Sequence, residues 1–291
     1  MDLIPDQTGY VHADGQAIYF ERFGTGARET ICLLNGLAMH TKAWYAFVPT
    51  LLEDYDVLLW DYLGQGNSSQ EDVPYEIPRL CDYLTLIVDE LGIPRFHLMG
   101  ISYGGFVGLD YARRYQDRLL TLTISGILLS HEELFQLYQD VSLRFYRSTP
   151  EVFELYTHYL YEKIFGETFV AKIKDKLGVM RDKFHERFKD QRHCLVRLTE
   201  AQDPFFAALD ANMPQYRAIQ TPTLVMAGAE DRAIPPWVQR KICDILPNVR
   251  YELVADSGHV VYIEKPEAFF GNLKRFAQAR SVNFTAVTAE A

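Results

Sequence analysis

Between residues 96 and 106 the chain must pass from a strand into a helix with almost no room to turn. Phe96-His97-Leu98-Met99 is a short apolar run with the length and flanks of a buried strand, and Phe106 to Tyr115 is an apolar, helix-like stretch. Only Gly100-Ile101-Ser102-Tyr103-Gly104-Gly105 separates them. A serine at the tip of so sharp a turn is driven to positive φ, which is costly for a residue with a Cβ. Its neighbours two positions away must then be small, so that strand and helix can close on each other. Gly100 and Gly104 meet that need. A strand–Gly-x-Ser-x-Gly–helix unit holds its serine hydroxyl out at a sheet edge, where it can act as a nucleophile. The rest of the chain then has to supply a sheet, a base and an acid.

The sheet is legible. Residues 9–23 alternate apolar and polar around Asp14-Gly15, as in an edge hairpin. Thr30–Leu34, Tyr55–Trp60, Leu119–Gly126, Thr221–Gly228 and Val249–Val254 are short apolar runs suited to a parallel sheet covered on both faces. Helical stretches lie between them: Ala43–Leu52, Ile77–Leu91, Pro235–Leu246 and Pro266–Ala279. Ile77–Leu91 carries Leu80, Tyr83, Leu84, Ile87, Val88 and Leu91 at helical spacing and is closed by Gly92 and Pro94. This alternation predicts an α/β fold with a mostly parallel, doubly wound, eight-stranded sheet. It breaks after residue 130. From 131 to 214 nothing resembles a strand, and aromatics such as Phe135, Tyr138, Tyr146, Tyr156 and Phe188 recur. That segment reads as an all-helical cap insertion, or lid, between core parts 1–130 and 215–291. Its aromatics are expected to be mostly core, with a minority lining a pocket. Ser281–Ala291, small and polar, is expected to fray.

Composition narrows the function. The 291 residues are 48% hydrophobic and 23% charged, enough to bury a real core. A formal net charge of −10 argues against nucleic acid or an anionic membrane as partner. Cys32, Cys81, Cys194 and Cys243 are far apart, with no ligand or redox spacing, so neither a metal nor disulfides are expected. Cys32 and Cys243 are expected to be buried small hydrophobes. No run approaches the ~18–20 apolar residues of a membrane span, and Met1–Asp6 carries no signal-peptide pattern. A soluble, cytoplasmic protein without a cofactor is expected.

The later strands deliver the missing groups. One ends in Gly228-Ala229-Glu230-Asp231, the next in Asp256-Ser257-Gly258-His259, so a carboxylate and an imidazole stand at the carboxyl ends of parallel strands, where sites form in open α/β sheets. A serine hydroxyl needs a base within hydrogen-bond reach. Histidine can take its proton and return it to the leaving group, and an aspartate fixes the imidazole's tautomer. Ser102, Asp231 and His259 are the candidate catalytic residues. Glu230 adjoins Asp231, and either carboxylate could orient the base. Asp256 reads as a loop-structuring residue, Trp44 and Met39 as packing, and His40 and His97 as structural.

With Gly100-Ile101-Ser102-Tyr103-Gly104, Gly228-Ala229-Glu230-Asp231 and Ser257-Gly258-His259 in the order serine, acid, histidine, the chain resembles the α/β-hydrolase superfamily over about residues 9–280. The resemblance implies an oxyanion hole made by the backbone N–H groups of Leu37 and Tyr103. Two departures stand out. Asn35-Gly36 replaces the family's usual His-Gly, so the side-chain network behind the oxyanion turn must differ. Tyr62-Leu63-Gly64 lacks the arginine common in that loop. Ser102 disfavours epoxide hydrolases and haloalkane dehalogenases, which place an aspartate at the elbow. Asn35-Gly36-Leu37-Ala38 lacks the longer glycine run of proline iminopeptidases and carbon–carbon bond hydrolases. The expected activity is a serine hydrolase cleaving an ester or thioester of a small, largely apolar molecule through an acyl-enzyme. An acyltransferase passing the acyl group to a hydroxylated acceptor is the enzymatic alternative; its Asn-Gly turn is similar to one in bacterial acyltransferases that make hydroxyalkanoate dimers. A non-catalytic ligand-binding receptor is the alternative of another class.

Overall fold

The computed structural model describes residues 3–287. Eight strands form one sheet in the order β1-β2-β4-β3-β5-β6-β7-β8. They are β1 (Gln7–Ala13), β2 (Gln16–Phe23), β3 (Thr30–Leu34), β4 (Asp56–Trp60), β5 (Phe96–Ile101), β6 (Leu119–Ser125), β7 (Thr223–Gly228) and β8 (Val249–Val254). β1, β2 and β4 pair antiparallel and every other pairing is parallel, as the sequence predicts. The chain goes from β3 outward to β4 and then returns to β5 on the other side of β3. The winding direction therefore reverses between β3 and β5, and their carboxyl ends flank the crevice in which such sheets bind ligands.

The strand interiors are apolar on both faces because helices cover both. Cys32, Leu34, Leu58, Trp60, Leu98, Leu122 and Ile124 face one layer, built on α2 (Ile77–Glu90) and α3 (Tyr103–Tyr115). Ile31, Leu33, Val57, Leu59, Met99 and Met226 face the other, built on α1 (Val48–Leu52) and, at the far end of the chain, Pro266–Ala279. Two predicted helices are shorter than their sequence pattern. Thr41–Trp44 is a 3₁₀ turn ahead of α1, and Pro236–Arg240 gives way to another at Lys241–Asp244.

Between β6 and β7 the chain is helical throughout: α4 (Glu133–Tyr146), α5 (Pro150–Glu154), α6 (Tyr156–Ile164), α7 (Glu167–Ile173), α8 (Leu177–Phe188), α9 (Arg192–Glu200), α10 (Asp203–Ala207) and α11 (Leu209–Arg217). Tyr146, Phe153, Tyr156, Phe188 and Leu195 form its own small core, against which Leu37 and Ala38, just past β3, are packed. The insertion thus lies over the carboxyl ends of the strands. α12 (Pro236–Arg240), α13 (Val261–Glu264) and α14 (Pro266–Ala279) complete the fold. No helix among the described residues is long and apolar enough to cross a membrane.

The expected fraying of 281–291 is corrected over its described part. Val282 and Phe284 pack on the α14 layer, Arg250 donates to the carbonyls of both, and Val287 N–H donates to Asn272 Oδ1 at 2.6 Å. Three apolar side chains in a polar-looking tail suffice to dock it. Residues 288–291 lie outside the described residues.

The elbow between β5 and α3 is as tight as its glycines imply. Ser102 has φ 49° and ψ −121°. A Cβ on Gly100 would stand 2.2 Å from Gly104 O, and one on Gly104 would stand 2.7 Å from both Leu34 O and Asn35 O. Those neighbours are backbone and cannot swing away. Gly104→Ala is therefore expected to cost about 3 kcal/mol in urea unfolding, at the upper end of overpacking penalties. Gly92→Ala is the control: at φ 64° with nothing within 4 Å, it should lose only the ~1 kcal/mol of a left-handed backbone. Equal losses in the two variants would refute the close-contact account.

Candidate active site

Three neighbouring loops, after β5, β7 and β8, bring Ser102, Asp231 and His259 to the same edge of the sheet. Asp231 is buried and all its acceptor directions are used. Oδ1 accepts the N–H groups of Ala233 and Ile234, each at 2.9 Å. Oδ2 accepts Gln239 Nε2 at 2.9 Å and His259 Nδ1 at 2.8 Å. Of the two adjacent carboxylates it is Asp231 that bonds the imidazole, while Glu230 accepts Glu167 N–H at 2.6 Å. Asp256, at φ 49°, turns the loop and pairs with Lys265 at 3.7 Å.

The His259 imidazole is held with Nδ1 toward a carboxylate, which makes Nδ1 the donor and leaves the Nε2 lone pair free. Burial alone would lower its pKa; the Asp231 charge and hydrogen bond, with Glu264 nearby, reverse this and raise it above the ordinary histidine value. Room for the ring exists because Gly126 lacks a Cβ, which would lie 2.7 Å from His259 Cε1. Ser102 and His259 share the wall of a cavity of about 60 Å³ with Leu37 and Tyr103. Among the described residues no hydrogen bond joins Ser102 to His259, a contact that in unliganded sites often tightens only with substrate.

The two candidate oxyanion donors line that cavity, and neither N–H has an acceptor among the described residues. The network behind them is the one Asn35 requires. Buried Asn35 donates to Trp60 O at 2.9 Å and Gln65 Oε1 at 3.3 Å and accepts Trp44 Nε1 at 2.8 Å. Gln65 Nε2 then donates to Gly36 O at 3.0 Å. In a trans peptide the N–H points opposite to the C=O, so anchoring Gly36 O orients Leu37 N–H. Trp44 is a buried packing residue as predicted, and His97 is also buried, bonded to Thr121 and Glu29. Cys32 is buried and Cys243 half-buried.

Sequence reasoning passed over several residues that the fold recruits. Gln239, fully buried, donates to Asp231 and to Ile234 O while accepting Gly126 N–H at 2.9 Å. Gln65 anchors the oxyanion turn, and Glu264 accepts Gly258 N–H and Gly166 N–H at 3.0 and 3.1 Å. Nothing in their local sequence marks them. From the insertion, Phe135, Tyr138, Gln139, Ser142, Tyr146, Thr199 and Gln202 reach the cavity, so its wall is more polar than the aromatic composition suggests. Replacing Asp231 with Asn removes the larger of the two carboxylate influences that oppose burial at the imidazole, leaving Glu264. An NMR titration of His259 in Asp231→Asn should show its pKa lowered relative to wild type, with Glu264→Gln giving a smaller fall. An unmoved titration would show that the pair is not electrostatically coupled.

A model of the alpha/beta hydrolase fold matches residues 29–266. The chain is 28% identical to "Putative carbamate hydrolase RutD" of Pseudomonas savastanoi pv. phaseolicola, over 86% of this chain and 94% of the relative. It is 25% identical to a poly(3-hydroxyalkanoate) depolymerase of Ectopseudomonas oleovorans, over 85% of this chain and 84% of that one. Among solved structures it superposes on MGS-M2, an alpha/beta hydrolase enzyme from a Medee basin deep-sea metagenome library, with a TM-score of 0.84 and 23% identity, covering 97% of this chain and all of the other. The family match spans most of the chain, on a sheet whose order and crossovers were described above. The chain belongs to the α/β-hydrolase fold family.

Proposed function

We propose that the protein is a serine hydrolase that cleaves an ester or thioester of a small, largely apolar molecule through an acyl-enzyme. The observation that carries this reading is a single cavity walled by the Ser102 elbow, an aspartate-held imidazole and two backbone N–H groups without acceptors. Ser102 Oγ attacks the acyl carbon while His259 Nε2 takes its proton. The carbonyl oxygen gains the negative charge and is held by the Leu37 and Tyr103 N–H groups. Collapse breaks the bond to the leaving group, which receives the proton from His259. Water, deprotonated by the same nitrogen, then attacks the acyl-serine, releases the acid and restores Ser102. The relatives named for a carbamate and a polyester are consistent with this class of bond, since both substrates present an acyl carbon bonded to a heteroatom.

An open apolar cleft adjoins the cavity and shares Phe135, Tyr138, Ala233 and Ile234 with it. It supports the apolar character of the substrate. The cavity itself, at about 60 Å³, is far below the ~300 Å³ at which ligand pockets begin. We therefore read the insertion, residues 131–214, as a lid in its closed position over the core parts 1–130 and 215–291.

Three outcomes follow. Wild-type protein should hydrolyse short p-nitrophenyl esters and be labelled by a fluorophosphonate probe, and Ser102→Ala should lose both; unlabelled wild type would refute the reading. Since protonated His259 cannot act as base, kcat/KM should fall as pH drops through a pKa above 6.5, the direction set by Asp231. A profile flat from pH 5 to 8 would contradict that. Gln65→Leu leaves the Gly36 carbonyl with only the Met39 N–H, at 3.2 Å, and should lower kcat about 10-fold with little change in KM; an unchanged kcat would remove Gln65 from the oxyanion network.

A further inference from the structure

The buried wall opposite Ser102 carries a side chain that the proposed reaction does not use. Gln139, on α4, is only 4% exposed, lines the cavity with Ser102 and His259, and has no hydrogen-bond partner among the described residues for either Nε2 or Oε1. Native interiors rarely leave an amide so, and an amide with both its donor and its acceptor free is matched by a group that accepts and donates in turn. The side chains around it are also neutral and polar: Ser142, Tyr146, Thr199 and Gln202. No Lys, Arg, Asp or Glu lines this cavity, so a charged partner would be buried without a counter-ion.

The two ends of the site are not equivalent. The open cleft is walled by Leu134, Leu137 and Val141 of α4 together with Pro235, Trp237 and Val238, the last three following the Asp231 loop, and His259 must face the leaving group to return its proton. The closed end, between α4 and α9, is left for the acyl chain. We infer that Gln139 is a specificity-determining residue, and that the preferred substrates are esters or thioesters of acids bearing a neutral hydrogen-bonding group, such as a hydroxyl, close to the scissile carbonyl. This rests on the hydrolase reading above and refines it, since the apolar part of the molecule is then assigned to the cleft and the leaving group.

The test compares ethyl butyrate with ethyl 2-hydroxybutyrate and ethyl 3-hydroxybutyrate, following acid release. Sites built to hydrogen-bond a substrate group discriminate strongly against analogues that lack it. Wild type should therefore favour at least one hydroxylated ester over ethyl butyrate by tenfold or more in kcat/KM. Gln139→Leu and the less bulky-branched Gln139→Met should bring that ratio close to one, mainly by losing the hydroxylated substrate. Fluorophosphonate labelling to completion reports that Ser102 is still activated in each variant. Wild type that favours ethyl butyrate, or variants that label normally and keep the wild-type ratio, would overturn the inference while leaving the hydrolase reading intact. Wild type that neither labels nor hydrolyses any ester would instead overturn the reading on which it rests.

Discussion

The contact of Gly104 with the carbonyls of Leu34 and Asn35 is what the rest of the site depends on. It lets α3 approach the end of β3 at backbone distance, and in doing so it fixes two things together. Ser102 is held at φ 49°, a conformation that survives in a residue with a Cβ only when its surroundings enforce it. The turn that carries Leu37 is held beside it, because Asn35 is both the residue Gly104 touches and the hub of the Trp44, Trp60 and Gln65 hydrogen bonds. The Ser102 elbow and the Leu37 turn are therefore products of one packing constraint. It arises where the winding of the sheet reverses, between β3 and β5, the place where two adjacent strand ends are free of crossing connections.

Asp231 and His259 are organised differently, through polar satisfaction. Asp231 has every acceptor direction filled, and three of its four partners come from its own loop and α12. Gln239 ties that loop to the end of β6 through Gly126. The histidine loop is in turn held by the insertion: His259 N–H donates to Ile164 O at 2.7 Å, and Glu264 gathers Gly166 and Gly258 onto one carboxylate oxygen. Arg232 adds bonds to Glu162 O and Phe165 O, both at 2.8 Å. The segment from Glu162 to Glu167 is consequently part of the base's support as well as part of the insertion.

How much of this was legible follows from the range of each interaction. The elbow, the strand ends and the order of Ser102, Asp231 and His259 are local patterns, so sequence reasoning reached them. The replacement of a histidine by Asn35 was visible too, and with it the need for a different network. The members of that network were not, because Gln65 stands 29 residues from Gly36 and Gln239 stands 113 from Gly126, and nothing local distinguishes either glutamine from a surface one. The docked tail was misread because three apolar side chains count for more than average polarity. The pocket was legible only in part. Most of the insertion's aromatics form its own core and a minority, Phe135, Tyr138 and Tyr146, line the cavity as expected, but the neutral polar side chains beside them, Gln139, Ser142, Thr199 and Gln202, carry no local signal.

The same division bears on how a substrate could enter. On the histidine side the insertion is attached by backbone hydrogen bonds and the half-buried Glu264 carboxylate, and displacing it there would release His259 from its support. On the side of α4 and α9 it meets the site through side chains and through the packing of Leu37 and Ala38 on its small aromatic core. Side-chain packing of this kind can be exchanged for contacts with an apolar ligand at little net loss of buried area, whereas an unmade backbone hydrogen bond cannot. Opening at α4 and α9 would therefore enlarge the cavity while leaving the Asp231–His259 pair in place.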